Sequence, residues 1–317
     1  MAQLSFVTLD VFTSQPYSGN PLAVVFLPED SDSLSQSQKQ TIAREFNLSE
    51  TIFVHPAREQ SKRTIDIFTT DCELPFAGHP TIGAASWFLC HSTDAADASG
   101  VTTLATKSGD IPISIQDSIS KAVSAQIAHN TRIHAARFGL KDLLRLHPTL
   151  APFFPQPDVS FPVFSIVNGM SQVFIELPTL AALAAVTPAT GGELVSSTNG
   201  NYLDEGWRSG LVSVYFFVRE VDDDVTDQKI IRTRMMLGTL EDPATGSSAC
   251  GLAAYLTLTE GQAGQPHLYH VVQGVEMGRR SDIGVGVALD PDMKIKQMLL
   301  TGTAVRVSEG RVLVPDV

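Results

Sequence analysis

The N-terminal part of the chain alternates apolar and polar positions in the manner of paired strands. Residues 4–12 (LSFVTLDVF) alternate as a half-buried strand does, and residues 22–28 (LAVVFLP) form an apolar run typical of a more deeply buried strand. The connection TSQPYSGNP between them is rich in turn-forming residues. These features predict a β-hairpin with a long, polar connection.

Strand-like patterns predominate along the rest of the chain. Ile42, Ala43 and Phe46 recur at helical spacing and predict one helix, and residues 140–150 (LKDLLRLHPTL) also have helical character. The remaining predicted strands are 50–56, 63–70, 110–118, 121–129, 161–169, 171–178, 210–220, 230–237, 268–278, 282–290 and 295–314. Mixed strands with few helices predict an α+β fold rather than a parallel βαβ array.

Two segments of the chain share one outline. Residues 73–89 (ELPFAGHPTIGAASWFL) and 241–256 (EDPATGSSACGLAAYL) each run from an acidic, Pro-containing turn through Gly into small and apolar residues. A shift of 168 residues aligns 71–85 with 239–253 without a gap, with five identities in fifteen positions, and an Arg-Thr-containing strand precedes each segment. This order of features predicts an internal duplication with a cleft between its halves.

The starts of the two corresponding helices are candidate anion-binding sites; we call residues 74–80 the first tip and residues 242–248 the second tip. A helix start offers unpaired N–H groups and a partial positive charge, so it can hold a carboxylate without Lys or Arg. Gly78 and Gly246 permit close approach of a ligand to the backbone, and Ser247 adds a hydroxyl donor. A capping motif that only starts a helix is the alternative for either tip alone, and the pairing favours binding.

Composition narrows the class of protein and partner. The 317 residues suffice for one large domain or two smaller ones, and 43% apolar residues can supply full cores. A net charge of −12 disfavours generic binding to nucleic acid or anionic lipid. The sequence has no basic, apolar leader and no apolar run of about 18–20 residues, so we expect a soluble, cytoplasmic protein without a membrane partner.

Motifs for metals and nucleotide cofactors are also missing from the sequence. Cys72, Cys90 and Cys250 are odd in number and lack CxxC spacing, so neither structural zinc nor a disulfide framework is expected. Cys250 lies inside the apolar run of the second segment, where a core position is the favoured interpretation. The chain has neither a P-loop nor a GxGxxG fingerprint in a βαβ context. We therefore expect no metal and no cofactor.

Glu50, in the stretch FNLSETIFV, is the candidate base. It follows a predicted helix and opens a predicted strand, where a side chain can stand at the edge of a sheet and face a cleft. A solvated glutamate at a strand start is the alternative, and the pattern alone favours it. Asp242 and His79 are similarly ambiguous, because Asp before Pro is common in turns and a histidine can be purely structural.

Six ordered blocks between residues 10 and 310 carry a family resemblance over nearly the whole chain. They are DVFTSQPYSGNPLAVV, NLSETIFV, RTIDIFTTDCELPFAGHPTIGAA, RTRMMLGTLEDPATGSSACGLAAYL, VVQGVEMGRRSDI and TGTAVRVSEG. In these blocks the sequence resembles the PhzF-like family of phenazine-biosynthesis proteins, which share the diaminopimelate-epimerase fold. The resemblance implies two similar α+β halves, each a curved, mostly antiparallel sheet wrapped round a central helix, with the active site in the cleft between them.

The resemblance also implies a division of the chain. The N-terminal half is expected at residues 1–130, with 301–317 as candidate strands that complete it, and the C-terminal half at residues 131–300. Residues 138–206 match the family poorly and are interpreted as an insertion, which often lines or covers a cleft. A homodimer is implied by the relatives rather than by any feature of this sequence.

The implied activity is that of a cofactor-independent isomerase that moves a proton between carbons of a small, carboxylate-bearing metabolite. One family member resembles an isomerase of dihydro-3-hydroxyanthranilate, and its acid/base glutamate corresponds to Glu50 in the LSET motif. Glu50 should then be partly desolvated, so that both its protonation states are accessible near working pH. The implied catalytic residues are Glu50, His79, Asp242 and Ser247, and the implied substrate-binding residues are Asn20, Ser49, Gly78, Thr245 and Gly246.

The chain departs from related racemases and epimerases of this fold, which use two cysteines, one per half. Ala77 and Thr245 occupy the corresponding positions, so a two-cysteine epimerase is not expected. Two other functions stay open at this point. One is a lyase or hydrolase that uses the same proton abstraction and expels a leaving group, and the other is a non-catalytic, small-molecule-binding protein on this fold.

Overall fold

Two strand-rich units make up the fold of the protein, whose structure is a computed structural model that describes residues 2–29, 34–94, 97 and 100–316. Unit 1 consists of Met1–Ile127 and Leu299–Val317, and unit 2 consists of Ala128–Met298. The chain therefore leaves unit 1 once, forms unit 2 from one continuous stretch, and returns to unit 1 at its C-terminal end.

The elements of both units are numbered in chain order. The strands are β1 Gln3–Val11, β2 Asn20–Phe26, β3 Glu50–Val54, β4 Lys62–Phe68, β5 Glu73–Leu74, β6 Thr103–Thr106, β7 Gly109–Asp117, β8 Ala122–Gln126, β9 Arg132–Gly139, β10 Ser160–Val167, β11 Met170–Glu176, β12 Leu211–Asp223, β13 Gln228–Leu237, β14 Leu240–Asp242, β15 Pro266–Gln273, β16 Ser281–Leu289, β17 Ile295–Gly302 and β18 Ala304–Leu313. The α-helices are α1 Gln36–Phe46, α2 Gly78–Ser86, α3 Leu140–Leu146, α4 Leu180–Ala184 and α5 Gly246–Glu260. Trp87–His91 extends α2 as a π-helical turn, and Pro148–Phe153, Thr190–Gly192 and Val275–Met277 are 3₁₀ turns.

In unit 1 the predicted N-terminal hairpin is confirmed, because β1 and β2 pair antiparallel. Strand β2 then pairs parallel with β3, and β3 pairs antiparallel with β4. Strand β4 continues antiparallel to β5 and parallel to β6, which pairs antiparallel with β7. The C-terminal strands complete this unit, since β18 pairs with β1 and β17 pairs with β8.

Unit 2 repeats the same succession of pairings with its own strands. Strands β10 and β11 pair antiparallel, β11 and β12 parallel, and β12 and β13 antiparallel. Strand β13 pairs antiparallel with β14 and parallel with β15, which pairs antiparallel with β16. The two helices that begin at Gly78 and Gly246 occupy corresponding places in the two series. The predicted duplication into two similar α+β halves is confirmed.

Each unit surrounds one helix of small and apolar residues. All nine residues of α2 are buried, and the helix packs against β1, β2, β3, β6 and β8. Helix α5 packs against β10, β11, β15 and β16. Gly83 permits this packing in unit 1, because a Cβ atom there would lie 2.3 Å from the Leu22 Cδ2 atom. In unit 2 a Cβ atom at Gly251 would lie 2.8 Å from the Gln172 Oε1 atom. Small residues thus bring each helix close to its sheet.

Two stretches differ from the sequence-based expectations. The strand predicted at 268–278 ends at Gln273, because Gly274 and Gly278 adopt left-handed backbone conformations on either side of a 3₁₀ turn. The range 138–206, interpreted as an insertion, contains β10 and β11, which are hydrogen-bonded to β9 and β12 within the sheet of unit 2. These two strands therefore belong to the repeated framework of the unit.

Within the described residues, no helix combines the length and the apolar character required to cross a membrane.

Candidate active site

In unit 1 four of the candidate residues lie where β2, β3 and α2 begin. Asn20 is the first residue of β2, Glu50 is the first residue of β3, and Ser49 directly precedes it. The parallel pairing of the two strands sets Leu22 beside Glu50. His79 is the second residue of α2 and follows Gly78. The local fold thus gathers side chains that are far apart in the sequence.

These side chains form a small polar cluster in an otherwise apolar region. The Glu50 Oε2 atom lies 3.3 Å from the His79 Nδ1 atom, and the Asn20 Nδ2 atom lies 3.4 Å from the same nitrogen. The Ser49 hydroxyl donates a hydrogen bond of 3.2 Å to the Asn20 Oδ1 atom. Asn20 and His79 are almost fully buried, whereas the Glu50 side chain keeps 17% of its exposure. We call these four residues the Glu50 cluster.

The surroundings of Glu50 change its proton affinity. Burial disfavours the charged carboxylate and raises the pKa of Glu50 from its ordinary value of 4.5 to about 7, although a hydrogen bond from Ser49 opposes the shift. Near neutral pH the side chain is therefore present in both protonated and ionised forms. This is the property that a group needs to accept a proton and later return it.

The His79 Nδ1 atom lies within reach of two side chains. Because Ser49 donates to the Asn20 Oδ1 atom, the amide N–H of Asn20 faces this nitrogen. The Glu50 Oε2 atom lies 3.3 Å from the same nitrogen. Asn20 and Glu50 therefore meet at one ring atom of His79.

In unit 2 the second tip has a different set of polar contacts. The Thr245 hydroxyl donates to the Asp242 Oδ2 atom over 2.6 Å. The Gln273 Nε2 group donates to the Asp242 carbonyl oxygen over 2.7 Å and to the Thr245 Oγ1 atom over 3.0 Å. Asp242 and Thr245 are thus brought together by a residue from β15 that the candidate list did not contain.

At both tips, the first backbone N–H groups of the helix precede its internal hydrogen-bond ladder. Within the described residues, the N-cap positions Ala77 and Thr245 make no side-chain hydrogen bond to the first turns of α2 and α5. The hydrogen-bond ladder of α5 begins with the Ala249 N–H, which donates to Thr245, so the N–H groups of Gly246 and Ser247 precede it. Each tip therefore has the geometry that favours binding of an anion.

The structure accordingly collects the candidates into two groups, one in each unit. Asn20, Ser49, Gly78, His79 and Glu50 lie together in unit 1, and Asp242, Thr245, Gly246 and Ser247 follow one another in unit 2. The cleft that the sequence predicts stays a prediction.

The three cysteines are not among the candidate site residues. Cys250 is fully buried in α5, as expected for a core position, and burial raises the pKa of its thiol far above the usual range. Cys72 is exposed, and Cys90 is half-buried at the π-helical turn after α2. Among the described residues no group of three or more His, Cys, Asp or Glu side chains could hold a metal ion.

Gln273 and its neighbour Tyr215 are the polar residues that sequence reasoning missed. Both are fully buried, and the Tyr215 hydroxyl donates to the Gln273 Oε1 atom over 3.0 Å. The available signal was Gln273 itself, a polar residue between two valines and a glycine at the end of a buried strand. The block VVQGVEMG contributed to the family resemblance without suggesting a role.

Comparison with known proteins agrees with this fold. The family model described as "Phenazine biosynthesis-like protein" matches residues 9–310. A trans-2,3-dihydro-3-hydroxyanthranilate isomerase from Pseudomonas chlororaphis is 33% identical over 282 residues, which cover 87% of each chain. The chain is therefore similar in sequence to an isomerase over most of its length.

Solved structures show the same fold at lower sequence identity. A PhzF-family phenazine biosynthesis protein from Bacillus anthracis aligns with a TM-score of 0.74 at 22% identity, over 99% of this chain and 100% of the other. A hydroxyproline epimerase from Agrobacterium vitis aligns with a TM-score of 0.59 at 11% identity, over 99% and 93% of the two chains. Since the family model and the curated relative both span most of the sequence, this chain belongs to the phenazine biosynthesis-like protein family and is an isomerase.

Proposed function

We propose that this isomerase moves a proton between two carbons of a small, carboxylate-bearing metabolite, with Glu50 as the general acid and base. The observation that carries the proposal is the raised pKa of Glu50, about 7, in a side chain that retains 17% of its exposure. A group of this kind reaches both protonation states near neutral pH. It also remains accessible to a ligand.

The proposed reaction has two steps that share one carboxyl group. Ionised Glu50 removes a proton from a substrate carbon, and the electron pair of the broken C–H bond delocalises into the adjacent conjugated system. Protonated Glu50, whose carboxyl proton exchanges with solvent through its exposed side, then gives a proton to another carbon of that system. No atom is gained or lost overall, so substrate and product have equal mass.

His79 and Asn20 are proposed to control the position of that proton. The Asn20 amide and the Glu50 carboxyl both approach the His79 Nδ1 atom, at 3.4 Å and 3.3 Å. When Glu50 gives up its proton, the His79 Nδ1 atom is close enough to accept it, so the two side chains can share one proton. His79 therefore limits the cost of ionising Glu50 in a buried position.

The second tip supplies the features expected of a substrate-binding group. The N–H groups of Gly246 and Ser247 at the start of α5 suit a carboxylate, and the half-buried Ser247 can add its hydroxyl. The Asp242 carboxylate suits an ammonium or hydroxyl group of the substrate. We propose that Gly78, Ser49 and Thr245 contribute to the same recognition, and that substrates are small cyclic acids with an amino or hydroxyl group.

Hydrogen–deuterium exchange tests this proposal directly. Wild type and Glu50→Gln would be incubated in D₂O with trans-2,3-dihydro-3-hydroxyanthranilate and a panel of cyclic amino and hydroxy acids. Mass spectrometry would follow deuterium uptake and any change in the remaining mass. We expect uptake by wild type with the mass otherwise conserved, and a loss of about 10³-fold or more in Glu50→Gln.

Glu73→Gln is the matched control, because Glu73 lies in the same unit with the same side-chain exposure of 17% and is paired with Lys107 instead. Its exchange rate should stay within about twofold of wild type. A product that has lost a fragment would indicate a lyase or hydrolase. Ligand binding without exchange across the panel would indicate a binding protein and overturn the proposal.

A further inference from the structure

Gln273 contacts the second tip at several atoms, although it lies 28 residues beyond Thr245 in the sequence. Its Nε2 group donates to the Asp242 carbonyl oxygen and to the Thr245 hydroxyl oxygen. Its Oε1 atom accepts from the Tyr215 hydroxyl over 3.0 Å and from the Thr245 N–H over 3.4 Å. The amide thus uses both donors and both acceptor sites, so its orientation is fixed.

The hydrogen bonds from Tyr215 through Gln273 and Thr245 to Asp242 form a series in which each residue donates to the next. Tyr215 donates to Gln273 over 3.0 Å, with the Thr233 Oγ1 atom as a second acceptor at 3.1 Å. Gln273 donates to the Thr245 hydroxyl oxygen, and Thr245 donates to the Asp242 Oδ2 atom. Burial raises the pKa of the Tyr215 hydroxyl well above its usual range, which keeps this first donor protonated. Each donor in the series makes the next hydroxyl or amide a better donor, because polarisation is cooperative where water is excluded.

The residue after Gln273 brings the backbone of β15 close to the same tip. Gly274 has a left-handed φ of 75°, and a Cβ atom there would lie 2.6 Å from the Pro243 carbonyl oxygen and 2.5 Å from the Arg279 carbonyl oxygen. Only glycine fits this approach without displacing the backbone of the tip. The Gln273–Gly274 pair therefore supports residues 242–245 through a side chain and through the main chain.

We propose that Tyr215 and Gln273 are positioning residues that set the Asp242 carboxylate through Thr245. This inference rests on the proposed function of Asp242 and deepens it. The series satisfies one lone pair of the Oδ2 atom and orients the carboxylate. Tyr215, Gln273 and Thr245 are uncharged near neutral pH, so the series itself adds no charge to the tip. The second tip is accordingly a fixed template for the polar group of the substrate.

A double-mutant cycle separates positioning from general support of the fold. Tyr215→Phe removes one hydroxyl and should lower kcat/KM for proton exchange about fivefold to tenfold. Thr245→Val, which has the shape of threonine without its hydroxyl, should lower it about 50-fold. Because Tyr215 acts through Thr245, we expect Tyr215→Phe to cost less than about twofold in the Thr245→Val background. Thr245→Ser keeps a hydroxyl and should restore most of the activity.

Tyr269→Phe is the matched control for this cycle. Tyr269 lies in β15, like Gln273, and its hydroxyl bonds to Thr257 over 2.9 Å, far along α5 from the second tip. Removal of this hydroxyl should leave kcat/KM within about twofold of wild type.

Gln273→Glu is a second test variant, since it keeps the size of the side chain but lacks both N–H donors. It should lower kcat/KM at least as much as Thr245→Val does. Thermal unfolding would identify any variant whose loss reflects unfolding.

The outcomes distinguish this inference from the function on which it rests. Proton exchange by wild type, with losses from Tyr215→Phe and Thr245→Val that multiply in the double variant, would overturn the positioning role alone. An equal loss in Tyr269→Phe would do the same. Absence of exchange by wild type would overturn the proposed function and this inference together.

Discussion

The first and second tips have the same architecture and different chemistry. Each follows two antiparallel strands and begins a buried helix, at Gly78 and at Gly246. The first tip contains His79, which lies 3.3 Å from Glu50, a carboxyl group present in both protonation states near neutral pH. The second tip holds Asp242 in a series of hydroxyl and amide donors. A repeated framework can thus keep its backbone geometry while the side chains around its two tips differ in chemistry.

Burial also has a different effect in each of the two regions. Around Glu50, burial opposes ionisation and makes the folded state sensitive to pH. Around Gln273, burial strengthens hydrogen bonds between neutral groups that do not titrate in the neutral range. Variants that alter activity through pH should therefore map to the first tip, and variants that alter it at all pH values should map to the second.

The largest effect is expected from a substitution that tests whether proton transfer depends on the first tip. His79→Gln removes the partner of Glu50 and should lower the exchange rate about 10³-fold, within the range of general acid–base contributions. His55→Gln is the control, because the His55 Nε2 atom pairs with Asp66 over 2.8 Å in the same unit. Its rate, measured by deuterium uptake, should change less than about threefold. Equal losses of exchange rate in His79→Gln and His55→Gln would show that the effect is not specific to the Glu50 cluster.

The second expected effect concerns stability. Because the pKa of Glu50 is raised on folding from 4.5 to about 7, the folded state binds more protons than the unfolded state between these values, and stability falls as pH rises through this window. The shift corresponds to at most about 3 kcal/mol. Glu50→Gln should therefore stabilise the protein by up to this amount above pH 7 and hardly at all below pH 4.5.

Urea unfolding of wild type and Glu50→Gln at several pH values measures this difference. Glu73→Gln, equally exposed but ion-paired with Lys107, should show no such gain. A gain from Glu50→Gln that is constant with pH would mean that the carboxyl group does not titrate between its two states as inferred.

A third, smaller effect is expected in the pH dependence of kcat/KM. In kcat/KM, the acid limb should lie near the Glu50 pKa of about 7, because proton abstraction needs the ionised form. The Ser49 hydrogen bond lowers this pKa, so Ser49→Ala should move the limb to higher pH by less than about one unit. Thr245→Ser, at the second tip, should leave the limb where it is. A limb that moves with Thr245 and not with Ser49 would reverse the assignment.

The smallest effect is expected from substitution of the cysteines. Positions 77 and 245, where a two-cysteine epimerase would be expected to have its cysteines, are Ala and Thr in this chain. Cys72→Ala and Cys250→Ala should each change the exchange rate less than about twofold, because the first thiol is exposed and the second is buried within α5. Alkylation of wild type with iodoacetamide should likewise preserve activity. Inactivation that disappears in Cys72→Ala would reveal a role for that thiol.

The sequence was informative wherever local pattern decides structure. Small residues after Gly78 and Gly246 predicted two buried helices, and the 168-residue shift predicted an internal duplication. Glu50 was expected at a strand start, which is where β3 begins. These features depend on residues close in sequence, so that propensity and periodicity are sufficient to predict them.

Other features depend on contacts between distant residues and could not be read from pattern. Asn20 and His79 lie 59 residues apart, and their contact forms part of the Glu50 cluster. The contact of Gln273 with Asp242 spans 31 residues and depends on one side-chain orientation. The end of β15 at Gln273 required the left-handed conformation of Gly274, which a glycine permits without demanding it.

The pairing of β1 with β18 has a consequence for synthesis of the protein. Gln3 lies opposite Leu313, so the sheet that contains β1, β2 and β3 lacks a neighbour for β1 until β18 has been made. Unit 2, a continuous stretch, can fold while the chain is still emerging from the ribosome. The unit that holds Glu50 is thus completed after unit 2, and a nascent chain without β18 would carry an exposed strand edge at β1.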